Sequence, residues 1–246
     1  KMIKSLKGIL IPLITISTII GQDYVMFNTG YLDLRNGEHV ALQKGVKKHN
    51  AKFHNGKDSP KAYLWYVHTG PNAGQYSWAT GPVKYSHNDN QLSEAHMKDW
   101  EANVSRYAKD HSWIFMMRDE EMTYNPENEI VGDNILMKRI PVKNGQKHVE
   151  AVEKTVQKIA DVLKKTNSKT ARRVYRNAFA DGNQEIMLVY PFSSWAEFED
   201  DVRGLPASFQ SDYERYHGKG SFRREVFDVL STHSGGVSHE VMTMVK

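Results

Sequence analysis

Apolar and polar residues alternate along eight short stretches of the chain, and this alternation predicts β-strands. In the first half the predicted strands are DYVMFNTGYLDL, AYLWYVHTG, QYSWAT and SWIFMMRDEEM. In the second half they are NILMKRIPV, ARRVYRNAFA, QEIMLVYPF and SHEVMTMVK. The dipeptide Asp181-Gly182 is typical of a tight hairpin turn and joins two of them.

Helices are predicted where apolar residues recur every three or four positions. One face of a first helix carries Leu42, Val46, His49 and Phe53, and LSEAHMKDWEANVSRYAKD predicts a second helix. The third helix, from about residue 146 to 165, has the most regular apolar stripe: Val149, Val152, Val156, Ile159 and Leu163. Ser194 and Glu197 have capping-box spacing ahead of WAEFEDDV. Gly218 and Gly220 are expected to interrupt the last helical stretch.

Two predicted helices of the chain begin with similar sequences. RNGEHVALQKGVKKH spans residues 35–49 and KNGQKHVEAVEKTVQK spans residues 143–158, and Asn36 is expected to cap the earlier helix. Each half then follows the order β-α-β-β-α-β of a ferredoxin-like module. We therefore predict an α+β protein with a first module at residues 22–130 and a second at residues 131–246.

The central strands predict how the two modules pack. Tyr63, Trp65 and Val67 fall on one face of a strand, while Leu64, Tyr66 and His68 fall on the other. In the second module, Ile186, Leu188 and Tyr190 oppose Met187 and Val189 in the same way. Strands that are apolar on both faces are buried on both faces, and the helices cover only one of them. The other face is expected to pack sheet to sheet against its counterpart.

This tandem plan resembles the dimeric α+β barrel superfamily in a fused two-module form. The stretch GNQEIMLVYPFSSWAEFED, a hairpin strand followed by a serine-capped helix, is similar to NIPSNAP-type and antibiotic-biosynthesis-monooxygenase-like members. The resemblance implies a pseudo-dimeric barrel. The resemblance also implies one of several functions, because its members include cofactor-free monooxygenases, haem-handling enzymes, other small-molecule enzymes and proteins of no known activity.

The amino-terminal stretch predicts a cellular location. Residues 1–21, KMIKSLKGILIPLITISTIIG, combine three lysines with an uncharged apolar run, as in a bacterial-type signal peptide. This interpretation predicts an exported, periplasmic or extracellular protein whose mature form has no stable membrane span. The alternative is a buried strand, because isoleucine and threonine are frequent in this stretch.

Charge and missing motifs exclude several functions. The net charge of +4 includes the three lysines of the predicted signal peptide; without them 30 basic residues face 29 acidic ones. This balance argues against a nucleic-acid partner. No Walker, dinucleotide-binding, HExxH or GxSxG motif occurs, and the absence of cysteine rules out thiolate chemistry. Histidine spacing, including His49 with His54 and His87 with His96, predicts no metal site, and we expect no cofactor.

The candidate site residues come from the hairpins. His68 is the predicted proton shuttle, and Arg173 is predicted to hold a carboxylate or enolate oxygen. The predicted ligand-binding residues are Tyr66, Tyr76, Trp78, Tyr175 and Asn177. Such a pocket would lie between sheet and helices. In the alternative interpretation the aromatic side chains are core, and His68 only forms a hydrogen bond at the end of a strand.

Two functions follow from these observations. The first is binding of an apolar or aromatic small molecule, with monooxygenase-like or isomerase-like chemistry. The second is a non-enzymatic envelope accessory protein that contacts a protein partner through its long loops, notably residues 81–95 and 199–222. A cavity next to the hairpins would favour the first, and a filled core would favour the second.

Overall fold

The computed structural model describes residues 24–57, 59–124, 133–179, 184–197 and 204–246. The predicted signal peptide and the Asp181-Gly182 turn lie outside these ranges. The first half contains β1 (Met26–Leu34), α1 (His39–Phe53), β2 (Lys61–Val67), β3 (Tyr76–Val83), α2 (Glu94–Trp100) and β4 (Ala108–Arg118). The second half contains β5 (Asn134–Pro141), α3 (Gln146–Lys165), β6 (Arg173–Asn177), β7 (Glu185–Phe192), α4 (Phe209–His217), α5 (Asp228–His233) and β8 (Ser238–Met244).

The eight strands form one closed barrel in the order β1-β3-β2-β8-β5-β7-β6-β4. Within each half the strands pair as in a ferredoxin-like sheet, and all pairings are antiparallel. The halves join where β2 pairs with β8 and where β4 pairs with β6. The predicted architecture, two α+β modules packed sheet to sheet, is therefore confirmed.

Side chains inside the barrel come from alternate positions on strands of both halves. Trp65 and Val67 of β2 meet Met187 and Val189 of β7 in one buried cluster. Leu64, which precedes Trp65 in β2, faces outward into a separate cluster beneath α1. Each face of the sheet thus buries its own apolar layer, as the two-sided alternation predicts.

Helix α3 covers the outer face of the second half. Its predicted stripe is confirmed, because Val149, Val152, Val156, Ile159 and Leu163 are all buried. The end of α4 at Gly218, whose φ is +92°, also agrees with the predicted break. No helix among the described residues is long and apolar enough to cross a lipid bilayer.

Two local predictions were wrong. Asn36 does not cap α1: it has a φ of +52° in the preceding turn, and the cap position is Glu38. The predicted helix over residues 92–110 is too long at its end. Helix α2 runs directly into a π-type turn at Glu101–Ser105, and β4 already begins at Ala108. Pairing of residues 108–110 with Leu34, Asp33 and Leu32 outweighs their helix propensity.

Candidate functional site

A cavity of about 500 Å³ lies on the outer face of the first-half sheet. Its floor is formed by strands β1, β3 and β4, and its roof by α2 and the connection before it. Leu92 and Met97, which are 57% and 53% exposed, line its outer part. The volume is in the range of sites that hold small organic molecules.

Three tryptophans form one wall of this cavity, which we call the tryptophan cavity. Trp78 from β3 lies 4.9 Å from Trp100 of α2 and 5.8 Å from Trp113 of β4, measured between ring centroids, and both pairs pack edge to face. Trp113 lies directly over Gly30, where any Cβ would overlap its indole ring. Glycine on β1 therefore makes room for this aromatic wall.

Polar residues also line the cavity. Asn28 lines it, and the Oδ1 atom of Asn28 is buried without a hydrogen-bond partner. Asp110 also lines the cavity, and its Oδ2 accepts a hydrogen bond of 2.8 Å from the Trp113 indole nitrogen. A buried carbonyl oxygen without a partner is costly, so Asn28 offers an acceptor to a ligand that carries a donor.

His54 and His96 lie on the cavity wall, and both contact His49 behind them. The ring centroids are 4.7 Å apart for His49 and His96, 5.4 Å for His49 and His54, and 5.3 Å for His54 and His96. One ring nitrogen from each residue lies within 4.8 Å of the other two. We call these three residues the histidine cluster.

Helix α1 and the residue after it supply two members of the histidine cluster. His49 is fully buried on the inner face of α1, and its Nδ1 lies 3.0 Å from Asp99 Oδ1. His54 follows the last residue of α1, and its Nδ1 lies 3.2 Å from the Pro60 carbonyl oxygen. The third member, His96, lies in the first turn of α2, where its ring stacks on Phe53 at 4.4 Å.

Burial holds all three histidines in the neutral form. It lowers the pKa of His49 despite the hydrogen bond to Asp99, and it lowers the pKa of His96 as well. For His54, burial and the neighbouring His49 lower the pKa to about 4. The Asp99 carboxyl is also buried, which would raise its pKa, but hydrogen bonds from Lys52 and His49 hold that pKa at about 2. At neutral pH the cluster thus presents neutral imidazoles beside one carboxylate.

Acid is expected to destabilise the fold through His54. Its folded pKa of about 4 lies below the ordinary value of 6.5, so the unfolded chain binds a proton that the folded chain rejects. The stability contribution is complete above pH 6.5 and is lost as the pH falls to about 4. We expect a loss on the order of 2 kcal/mol, since each pKa unit corresponds to about 1.4 kcal/mol and His54 keeps part of its hydration.

Urea unfolding midpoints between pH 7.5 and 4.5, measured with EDTA present, test this expectation. His54→Gln should flatten the pH dependence in that window. His68→Gln, which removes an exposed histidine outside the cavity lining, is the matched control and should retain it. Parallel curves for the wild type and His54→Gln would contradict the assignment.

Comparisons with known proteins show similarity in structure rather than in sequence. No family model matches the chain, and no curated protein matches it in sequence. An anthrone oxidase-like protein has a TM-score of 0.57 at 11% identity, with 92% of this chain and 93% of that protein covered. The chlorite dismutase of Candidatus Nitrospira defluvii has a TM-score of 0.52 at 11% identity, covering 90% and 91%.

A Lactobacillus acidophilus NCFM protein provisionally assigned as a monooxygenase matches equally well. Its TM-score is 0.52 at 11% identity, with 90% of this chain and 94% of that protein covered. Nearly full coverage of both chains, together with the closed eight-stranded barrel, decides the fold. The chain has the fold of a dimeric α+β barrel, with both halves in one chain. At about one residue in ten identical, these likenesses show the fold and leave the activity open.

The barrel distributes the seven predicted site residues over both faces of its sheet. Trp78 alone among them lines the tryptophan cavity. Tyr66 and Tyr76 share the outer face of the first half, where the Tyr76 hydroxyl accepts a hydrogen bond of 2.7 Å from Gln43 Nε2. His68 is exposed at the end of β2, and its Nε2 lies 2.8 Å from Thr243 Oγ1.

The predicted residues of β6 lie elsewhere in the barrel. Arg173 and Tyr175 line a cavity of about 80 Å³ inside it. Both are buried, and burial lowers the pKa of Arg173 and raises that of Tyr175. Asn177 accepts a hydrogen bond of 3.1 Å from the Phe179 backbone nitrogen at the end of the strand. The sheet itself separates Arg173 from Trp78, so the seven residues do not share one pocket.

The residues that gather at the tryptophan cavity were largely missed from the sequence. The spacing of His49, His54 and His96 fits no common metal-ligand pattern, so the sequence predicts no metal site there. One signal was present: His49 falls on the apolar face of α1 beside Leu42 and Val46. A histidine on a core-facing position needs a hydrogen-bond partner, and here that partner is Asp99.

Proposed function

We propose that this barrel binds a planar aromatic small molecule in the tryptophan cavity. The single observation that supports this most is the wall of Trp78, Trp100 and Trp113 around about 500 Å³ of space. Indole faces and edges attract flat aromatic rings, and the partly apolar lining removes such a ligand from water. A structural core would fill this volume with side chains.

Polar groups at the cavity define the chemistry of the proposed ligand further. The Asn28 carbonyl oxygen accepts a hydrogen bond, which favours a phenolic or enolic hydroxyl group. His54 and His96 bring neutral imidazole rings to the same wall. A neutral imidazole can accept a hydrogen bond from such a hydroxyl group. Binding is the primary proposal, and monooxygenase-like chemistry on the bound compound depends on it.

Fluorescence provides a direct measurement, because three of the five tryptophans line the cavity. We expect anthrone and 1-naphthol to quench the emission saturably; anthrone is chosen because the barrel resembles an anthrone oxidase-like protein. Trp113→Ala should weaken binding about tenfold, since an aromatic contact is worth roughly 1 kcal/mol beyond its buried area. Asn28→Leu should weaken 1-naphthol binding and leave naphthalene binding unchanged.

Trp195→Ala is the matched control. Trp195 is 49% exposed and lies outside the cavity lining, so its removal should leave the affinities as they are. If none of the aromatic probes quenches saturably, or if Trp195→Ala weakens binding as much as Trp113→Ala, the proposed function is wrong.

A further inference from the structure

We propose that His49, His54 and His96 bind a divalent transition-metal ion at the wall of the tryptophan cavity. The ion would use one nitrogen of each imidazole and keep a coordination position open towards the cavity. The second part of this inference rests on the proposed function, because it makes the metal a contact of the bound small molecule.

Hydrogen bonds from behind the rings fix which nitrogens face the cluster. The Asp99 carboxylate and the Pro60 carbonyl oxygen can only accept, so Nδ1 of His49 and Nδ1 of His54 must carry the hydrogens. The Nε2 atoms of both rings then bear lone pairs. Both Nε2 atoms are buried and have no hydrogen-bond partner. A carboxylate or backbone carbonyl behind the ring is also the usual support of a metal-binding histidine.

Buried imidazole lone pairs without partners are the observation that points to a ligand. His49 is 0% exposed, and an unsatisfied buried acceptor costs free energy that a bound ion would recover. Two such atoms from adjacent rings, with a third imidazole at His96, form a convergent donor set. A core that used these histidines only for packing would not leave two buried acceptors unsatisfied on adjacent rings.

Distances within the cluster suit a metal after a small adjustment. One nitrogen from each of His49, His54 and His96 lies within 4.8 Å of the other two. Nitrogens about 2.0–2.1 Å from a tetrahedral ion lie roughly 3.3 Å apart. To bind the ion, the side chains must therefore rotate so that the nitrogens move by on the order of 1 Å. The stacking of His96 on Phe53, with the ring planes 13° apart, leaves room for sliding in the plane of the ring.

Ligand type and charge indicate the class of ion. Three neutral imidazoles suit Zn²⁺, Co²⁺, Ni²⁺ or Cu²⁺ and suit Mg²⁺ or Ca²⁺ poorly. The Asp99 carboxylate lies directly behind His49 and supplies a negative charge. The other oxygen of Asp99 lies 2.9 Å from the Lys52 ammonium, and the Lys52 side chain is about half exposed to solvent. Three protein ligands and an open position are the arrangement of catalytic rather than structural zinc sites.

Cobalt titration of the full chain, first dialysed against EDTA and then against buffer, tests the site. We expect one equivalent of Co²⁺ to bind with a dissociation constant in the micromolar range or tighter, and visible absorption between about 500 and 650 nm to report imidazole ligation. His54→Ala and His96→Ala should each weaken binding at least tenfold. Near-wild-type urea midpoints for these variants at pH 7.5 would show that the fold is retained.

Two control variants separate this site from other histidines. His87→Ala removes a histidine from the same cavity lining, and His148→Ala removes one member of a pair whose Nδ1 atoms lie 2.9 Å apart. Neither variant should change the binding of the first equivalent of Co²⁺. The inference is overturned if no stoichiometric binding occurs, if His54→Ala and His96→Ala bind normally, or if His148→Ala alone abolishes the first equivalent.

Acetohydroxamate, a small oxygen-donor chelator, tests the open position. Its addition to the cobalt form should change the absorption bands, whereas an unchanged spectrum would show a closed site and overturn that part. The aromatic titrations described above use metal-free protein. Saturable quenching without cobalt binding would therefore refute the metal site and leave the proposed function standing. Cobalt binding without saturable quenching would refute the proposed function and leave the metal site standing.

Discussion

Gly45→Ala is expected to destabilise the fold by at least 2 kcal/mol, although glycine to alanine inside a helix normally gains about 1 kcal/mol. Gly45 lies on the buried face of α1, where the helix contacts the π-type turn after α2. A Cβ atom there would overlap the carbonyl oxygen of Asn103. Because the obstacle is backbone, no rotamer change relieves it, and the two segments must move apart.

Urea unfolding midpoints measure this effect. Gly235→Ala is the matched control, since a Cβ at Gly235 meets Pro141 at an ordinary 3.5 Å and its φ is not positive. It should change stability by less than about 0.5 kcal/mol. A Gly45→Ala protein as stable as the wild type would show that α1 and the turn do not pack backbone to backbone.

Glu240→Ala is expected to cost about 3–5 kcal/mol, the range for removing one partner from a buried charged network. Glu240 is 0% exposed inside the barrel. Its carboxylate accepts hydrogen bonds of 2.6 Å from the Tyr31 hydroxyl and 2.5 Å from Asn72 Nδ2. It also lies 3.8 Å from Arg139 Nε, so alanine would remove one of the two carboxylates that face this partly buried guanidinium.

Two further variants test the network. Glu185→Ala removes the other carboxylate of Arg139, at 2.7 Å, but this carboxylate is partly exposed and its loss should cost roughly 1 kcal/mol. Tyr31→Phe removes two hydrogen bonds, the one that Tyr31 donates to Glu240 and the one that it accepts from Arg139, and should cost about 1–3 kcal/mol. The interpretation fails if Glu240→Ala and Glu185→Ala have equal effects.

Alternation along the central strands was enough to predict that the two sheets pack face to face, because those strands are apolar on both faces, whereas the barrel was implied by the family resemblance. The same alternation contains a signal that was not used. Glu240 shares the inward face of β8 with Met242 and Met244, so a carboxylate in that row had to be buried and paired. Its partners Tyr31 and Arg139 come from distant strands, and sequence alone could not name them.

The candidate site could be predicted only in part, and the reason is geometric. Sequence placed Trp78 beside a pocket, but it grouped this residue with Arg173 and Tyr175, which the sheet separates from it. Assigning faces strand by strand does not tell which face of one half lies near which face of the other. His54 escaped prediction for a different reason: it follows the end of α1, where helical periodicity no longer applies.

Closure of the barrel also restricts how another molecule can attach to it. Every one of the eight described strands pairs with two neighbours over at least part of its length, so none of them is an edge strand that is free along its whole length. Recruitment by addition of a foreign strand, and stacking of copies edge to edge, both need such a free edge. A protein that docks on the described part of this chain is therefore expected to recognise mainly side chains on its helices and connections.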